Sequence, residues 1–183
     1  MSAPLQGIKA FPPNPRGIPA MIFIEDMDAF MSSERPEIAI QRFHENYSKY
    51  KLLEQRLTST VASYNTRIPD IEKNIATLKY LMDKSEEDIT ASYQLADNVS
   101  ASADLDLDAR KVCLWLGADV MVEYSFEEAL SLLTDNLEAA KQHRSRSLED
   151  LDFVRTQVTI TEVNTSRVFN YDVKRRRSTT TVQ

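Results

Sequence analysis

The hydrophobic positions of the chain fall into two long heptad patterns on either side of a block that reads as strand. The first takes in Phe43, Tyr47, Tyr50, Leu57, Val61, Tyr64, Ile68, Ile71, Ile75, Leu78 and Met82. The second takes in Phe126, Leu130, Leu133, Leu137 and Ala140, weakens at Arg144 and Ser147, and resumes at Leu151, Val154, Val158 and Val168. Alternating steps of four and three keep one stripe of a helix turned toward a partner, which is the signature of a coiled-coil seam. The patterns predict a mainly α fold with a small β part, a long antiparallel two-helix coiled coil joined by two β-hairpins. Folding back places Met82 near Phe126 and Tyr47 near Asn164. A helix over residues 34–83 would run roughly 75 Å at about 1.5 Å per residue. Such a rod encloses no interior for a substrate, so function is expected at surfaces, at ends and in assembly.

Five of the seven prolines and two of the three glycines lie in the first twenty residues, which predicts a proline-rich disordered arm over residues 1–20. An N-terminal coiled-coil helix with an apolar tip is expected over residues 21–83, with Met21, Ile22, Phe23, Ile24, Met27, Phe30 and Met31 crowding its start. Ser32 and Ser33, followed by Glu34, Pro36 and Glu37, read as the helix start, with a hydroxyl cap, a first-turn proline and early acids. Pro69 predicts a kink and not a break, because the register continues through Ile71 and Ile75.

Residues 84–124 read as two hairpins forming an assembly platform, 89–95 with 99–103 and 111–116 with 120–124. Asp97 and Asn98 suit the first turn, and Gly117, Ala118 and Asp119 the second. Ser125 with Glu127 and Glu128 opens a C-terminal coiled-coil helix over residues 125–170, and residues 171–183 read as a basic polar tail. Isolated two-stranded pieces are marginal in water. Val112, Cys113, Leu114, Trp115 and Leu116 are consecutive, so both faces of that strand are apolar and the sheet is expected to be completed by other subunits. Assembly is assigned to Val112, Leu114, Trp115, Leu116, Val120, Met121, Val122 and Tyr124; the competing reading is a private core beneath the hairpins.

Composition narrows the classes further. The net charge of −6 and pI near 5.0 give no reason to expect nucleic-acid binding. Cys113 has no partner for an internal disulfide, and its apolar neighbours predict a buried thiol in a reducing compartment. No stretch approaches the roughly 20 apolar residues of a membrane span, and no signal-peptide plan opens the chain, so a soluble intracellular protein is expected. His44 and His143 are expected on helix surfaces, and no cysteine pair or spaced histidine set suits zinc. No glycine-rich loop suits a phosphate. The acids Glu86, Glu87, Asp88, Asp104, Asp106 and Asp108 read as solvated charges. Catalysis, a metal and a cofactor are therefore not expected.

Several motifs are more specific. KVCLWLGADVMVEY at residues 111–124, LADN at 95–98, LEDLDFVRTQ at 148–157 and FNYDVKRRR at 169–177 closely resemble the α class of the prefoldin family, the branch also described as von Hippel-Lindau binding proteins. GIPAMIFIEDMDAFM at residues 17–31 resembles its N-terminal signature. The resemblance covers nearly everything after the proline-rich arm. It implies a heterohexamer of two α-class and four β-class subunits, in which hairpins build a double β-barrel and six coiled coils hang from it. It also implies capture of unfolded actin and tubulin without ATP, and their delivery to the cytosolic chaperonin. Client binding is expected at the tip, at Ile24, Met27, Phe30, Met31, Val168, Phe169 and Tyr171; the competing reading is that these residues staple the coiled-coil end. Residues 174–177, from Lys174 to Arg177, are a solvated basic tail, a nuclear signal or a docking patch, and the location implied is the cytoplasm with a nuclear role open. The alternative function is a coiled-coil scaffold tethering folded partners.

Overall fold

The computed structural model describes residues 8–9, 12–84, 89–105 and 110–180. The acids Glu86, Glu87, Asp88, Asp106 and Asp108 lie outside the described residues. Two short strands, β1 (Ile8–Lys9) and β2 (Phe23–Ile24), precede a small helix α1 (Met27–Ser33) and the long helix α2 (Pro36–Asp83). Strands β3 (Ile89–Ala96), β4 (Val99–Leu105), β5 (Lys111–Gly117) and β6 (Val120–Ser125) follow, and α3 (Phe126–Thr180) completes the fold. Both expected hairpins are present, β3 with β4 and β5 with β6, each antiparallel. The chain divides into two compact units, Met1–Ala62 with Ser145–Gln183, and Ser63–Arg144.

Within each unit α2 and α3 pack antiparallel through the predicted seam. In the Ser63–Arg144 unit, Ile68, Ile71 and Ile75 meet Ala140 and Leu137, while Leu78, Leu81 and Met82 meet Phe126 and Ala129. In the other unit, Phe43, Tyr47 and Tyr50 share a core with Val154, Val158 and Val168. Charges flanking that core repeat the order: Glu54 pairs with Arg155 at 3.4 Å, and Glu37 with Arg176 at 3.2 Å. Glu54, the polar interruption of the first seam, also meets Lys51 at 2.7 Å, and the ammonium holds its carboxyl below the usual range. α2 runs unbroken through Pro69. The missing donor leaves the carbonyl of Asn65, one turn back on an exposed residue, without its usual helical partner.

Three expectations are corrected. Ser32 and Ser33 do not cap the long helix; they end α1, where their hydroxyls fold back onto the carbonyls of Ala29 and Phe30. Asp26 caps α1 instead, accepting from the amides of Asp28 and Ala29, and Pro36 takes the first position of α2. The C-terminal helix does not fade near Asn170 but reaches Thr180, so the basic run is helical, with Arg176 bound to Asp172 at 2.7 Å. Arg–carboxylate pairs one turn apart and a second pair to Glu37 support this last stretch. Finally, the described part of the proline-rich arm is ordered: Asn14 is buried, and residues 12–25 form a strap along α3 that turns at residues 15–17.

Ser125 opens α3 as predicted, through a reciprocal box in which its amide donates to Glu128 at 3.1 Å and its hydroxyl accepts from the Glu128 amide at 3.3 Å. The hydroxyl also donates to the Glu128 carboxylate, which lowers that carboxyl below its ordinary value.

Truncating Phe43, fully buried in the seam, to alanine is expected to cost about 3–5 kcal/mol in denaturant unfolding, whereas Leu52→Ala, on the exposed side of the same helix, should stay within about 0.5 kcal/mol. The β5–β6 turn holds Gly117, Ala118 and Asp119 at φ of 95°, 50° and 59°. Ala118→Gly removes a Cβ from the left-handed region and should stabilise the hairpin by about 1 kcal/mol, read as slower amide exchange in β5 and β6.

Candidate functional site

The hairpins sort their side chains by face. In β3–β4 the register opposes Ile89 to Leu105, Ala91 to Ala103 and Tyr93 to Ala101, so one face is apolar. Thr90 opposite Asp104, Ser92 opposite Ser102 and Gln94 opposite Ser100 make the other face polar. Thr90 donates to the exposed Asp104 at 2.9 Å, in keeping with its expected role as a solvated acid. Of the apolar face Tyr93 stays 52% exposed, with Leu95 and Val99 open beside the turn. A hairpin that segregates its residues this cleanly has one face made for water and one made for cover.

The second hairpin resolves the expected assembly residues into two groups. Val112, Leu114, Val122 and Tyr124 alternate onto the inner face; Val112, Leu114 and Tyr124 pack against the core of Leu78, Phe126 and Ala129. Val112, Leu114 and Tyr124 thus rest on a core of their own chain, the arrangement the competing reading expects for that face. Trp115, Leu116, Val120 and Met121 are exposed, with Trp115 and Met121 directly paired across the strands at 60% and 57% exposure. Cys113 lies on this outer face and is exposed, not buried as its neighbours in sequence suggested. Strand alternation, not local hydrophobicity, decides which way its thiol points. The outer face is bounded by a 2.6 Å ion pair of Lys111 with Glu123. A groove of about 300 Å³ runs from Trp115 and Cys113 to Leu78, Leu81 and Leu133.

The tip residues also divide, and burial corrects part of the expected surface. Ile24, Phe30 and Val168 are sealed in the core with Met21, Ala39 and Phe43, where the Phe30 and Phe43 rings stack at 6.4 Å. Met27 and Met31 are half-buried against that core, and Tyr171 is half-buried on α3. Phe169 alone of the seven is open, at 58% exposure, and lines a groove of about 360 Å³ with Ile40, His44, Thr165 and Asn170. The seven positions thus combine one exposed aromatic with residues that staple the helices.

Sequence reasoning missed the row of polar side chains on α3 that holds the strap. Asp150, Gln157 and Asn164 are spaced by seven and buried. Asp150 accepts from Asn14 at 2.8 Å and from Arg16 at 2.7 Å, while Arg16 also reaches Glu149 at 2.9 Å and the Arg146 carbonyl. These carboxylates raise the Arg16 guanidinium further above its already high value, Asp150 contributing most. Gln157 and Asn164 bond to the backbone of residues 21–24, and Arg167 lies over the Phe23 ring at 5.2 Å. The available signal was polar residues recurring at heptad spacing beside an apolar stripe, a pattern a two-helix seam does not need.

His44 and His143 are exposed as expected, His143 stacked on Tyr64 at 6.1 Å. Among the described residues no three His, Cys, Asp or Glu side chains converge as a metal site, and no helix is long and apolar enough to cross a membrane.

Comparison with known proteins agrees with this architecture. A family model described as Prefoldin subunit matches residues 50–171. Prefoldin subunit 3 of Mus musculus is 42% identical over 165 residues, spanning 87% of this chain and 84% of the mouse protein. A probable prefoldin subunit 3 of Schizosaccharomyces pombe is 41% identical over 166 residues, spanning 91% and 96%. A cryo-EM structure of filamentous PFD from Methanocaldococcus jannaschii shares the fold with a TM-score of 0.51 at 18% identity, covering 63% of this chain and 94% of that one. The paired heptad seams, the twin hairpins and these matches together place the chain in the prefoldin subunit family, with proteins named prefoldin subunit 3 among its relatives.

Proposed function

We propose that this chain is an α-class subunit of a heterohexameric prefoldin with one further α-class and four β-class partners, a cytoplasmic holdase working without ATP. The observation that carries the reading is the exposure of large apolar side chains on both hairpins, Tyr93 with Leu95 and Val99 on one and Trp115 with Met121 on the other. Strands from other subunits would bury them, as a sheet edge and an apolar face both favour. The relatives named prefoldin subunit 3 support the same class of assembly.

Client capture is assigned to the surface around Phe169, Met27 and Met31. An open aromatic at Phe169 and half-buried, adaptable thioethers at Met27 and Met31 each suit the binding of many unfolded sequences. Unfolded actin and tubulin are the proposed clients and the cytosolic chaperonin the proposed recipient. Ile24, Phe30 and Val168 contribute by shaping this end, because they are internal.

Trp115→Ser and Met121→Ser are expected to weaken assembly by about 2 kcal/mol or more each, as central interface anchors do, and to remove the six-subunit species in native mass measurement while the chain stays folded. A monomer or homodimer purified from the native cell would overturn the assembly. Phe169→Ser should lower suppression of actin or tubulin aggregation about tenfold with the hexamer intact, the equivalent of one buried phenylalanine. Unchanged suppression would remove the client role from Phe169, and binding only to folded partners would favour a scaffold.

A further inference from the structure

The strap is held in two different ways along its length. Residues 14–16 are bound through their own side chains, Asn14 and Arg16, to Asp150 and Glu149. From Pro19 to Glu25 most of the polar contacts with the helices are instead directed at the main chain; the exceptions are the Asn46 amide, which donates to the Met21 sulfur at 3.9 Å, and the Arg167 guanidinium over the Phe23 ring. Tyr50 donates its hydroxyl to the Pro19 carbonyl at 2.9 Å, and Gln157 accepts from the Met21 amide at 2.7 Å. Asn164 accepts from the Ile24 amide at 3.2 Å and donates to the Ile22 carbonyl at 2.6 Å, serving both as acceptor and donor as a neighbouring strand would. Arg167 donates to the carbonyls of Ile24 and Glu25.

Main-chain amides and carbonyls are the same in every non-proline residue, so such a row recognises extended backbone without reading sequence. Met21 and Ile24 supply the apolar side chains, both buried between the helices. Gln157 and Asn164 are 1% and 0% exposed, positions where a side-chain amide without partners would be costly. An extended, apolar stretch of another polypeptide would satisfy the same donors and acceptors that the strap now satisfies.

We propose that Tyr50, Gln157, Asn164 and Arg167 form a backbone-directed binding site for an extended apolar segment of a non-native polypeptide, with residues 19–25 of this chain as its resting occupant. The site rests on the holdase reading and deepens it, because it supplies sequence-independent hydrogen bonds where the Phe169 surface supplies only apolar contact. Exchange of one extended segment for another conserves the bonds, so the strap competes with a client instead of merely bracing the helices.

The test uses the full-length chain and reduced, carboxymethylated lactalbumin, a soluble polypeptide that stays unfolded. Amide exchange at Met21 and Ile24 is expected to rise at least about tenfold when the probe is bound, while the amides of Phe43 and Val154 keep their protection. Arg16→Ala, which loosens the clamp outside the row, should bind the probe about threefold tighter or more, as removal of a competing occupant predicts. Asn164→Leu should bind more weakly than Arg16→Ala although its strap is loosened too. Bound probe with Met21 and Ile24 still protected overturns the site and leaves the holdase reading standing. Absence of probe binding by the unaltered chain overturns both. Should Asn164→Leu not fold, as read by far-ultraviolet circular dichroism, exchange in the unaltered chain decides.

Discussion

The antiparallel seam between α2 and α3 is the contact from which the other features take their positions. Neither helix can bury its apolar stripe alone, and in proteins most helical stability comes from such packing, not from propensity. Within the Ser63–Arg144 unit, pairing Leu78 with Phe126 closes the helices just where the hairpins emerge, so Val112, Leu114 and Tyr124 lie on that core. Within the other unit, the same antiparallel order sets Glu54 beside Arg155 and Glu37 beside Arg176, which carries α3 out to Thr180. Exposed pairs of this kind contribute little energy. Their value is in specifying register, which apolar contacts of similar size would leave loosely defined.

A second constraint governs the strap. Extended backbone buried against a helix has no ladder to join, since α3 has already spent its main-chain groups internally. Side chains must answer instead, and the buried amides of Gln157 and Asn164 do so from one heptad face while Val154, Val158 and Val168 fill the adjacent face toward α2. Burial pushes the Tyr50 phenol above its ordinary value, and its hydroxyl donates to the Pro19 carbonyl. The charged clamp at Arg16 and the amide row are thus different devices: one selects this segment, the other accepts backbone.

The hairpins follow from alternation. β3–β4 separates a row of alanine, isoleucine, leucine and tyrosine from a row of serine, threonine, glutamine and aspartate, and the folded chain leaves much of the apolar row uncovered. β5–β6 is apolar on both faces; one is used at home and the other, with Trp115 and Met121, is left outside. Unsatisfied apolar surface of this kind is what an obligate partner removes.

The seams, both hairpins, the cap at Ser125 and the continuity through Pro69 were legible because each depends on local period or on a residue's own backbone chemistry. The extension of α3 and the ordered strap were not, because they depend on groups more than a hundred residues away: Asn14 on Asp150, Glu37 on Arg176, Ile24 on Asn164. The same holds for the candidate sites. Composition marked Ile24, Phe30, Phe169, Val112 and Trp115 alike as apolar, and hydrophobicity carries no direction. Only the packing of one element on another turned Ile24, Phe30 and Val112 inward and left Phe169 and Trp115 facing solvent, because strand alternation and helix facing acquire an inside only when a second surface is present.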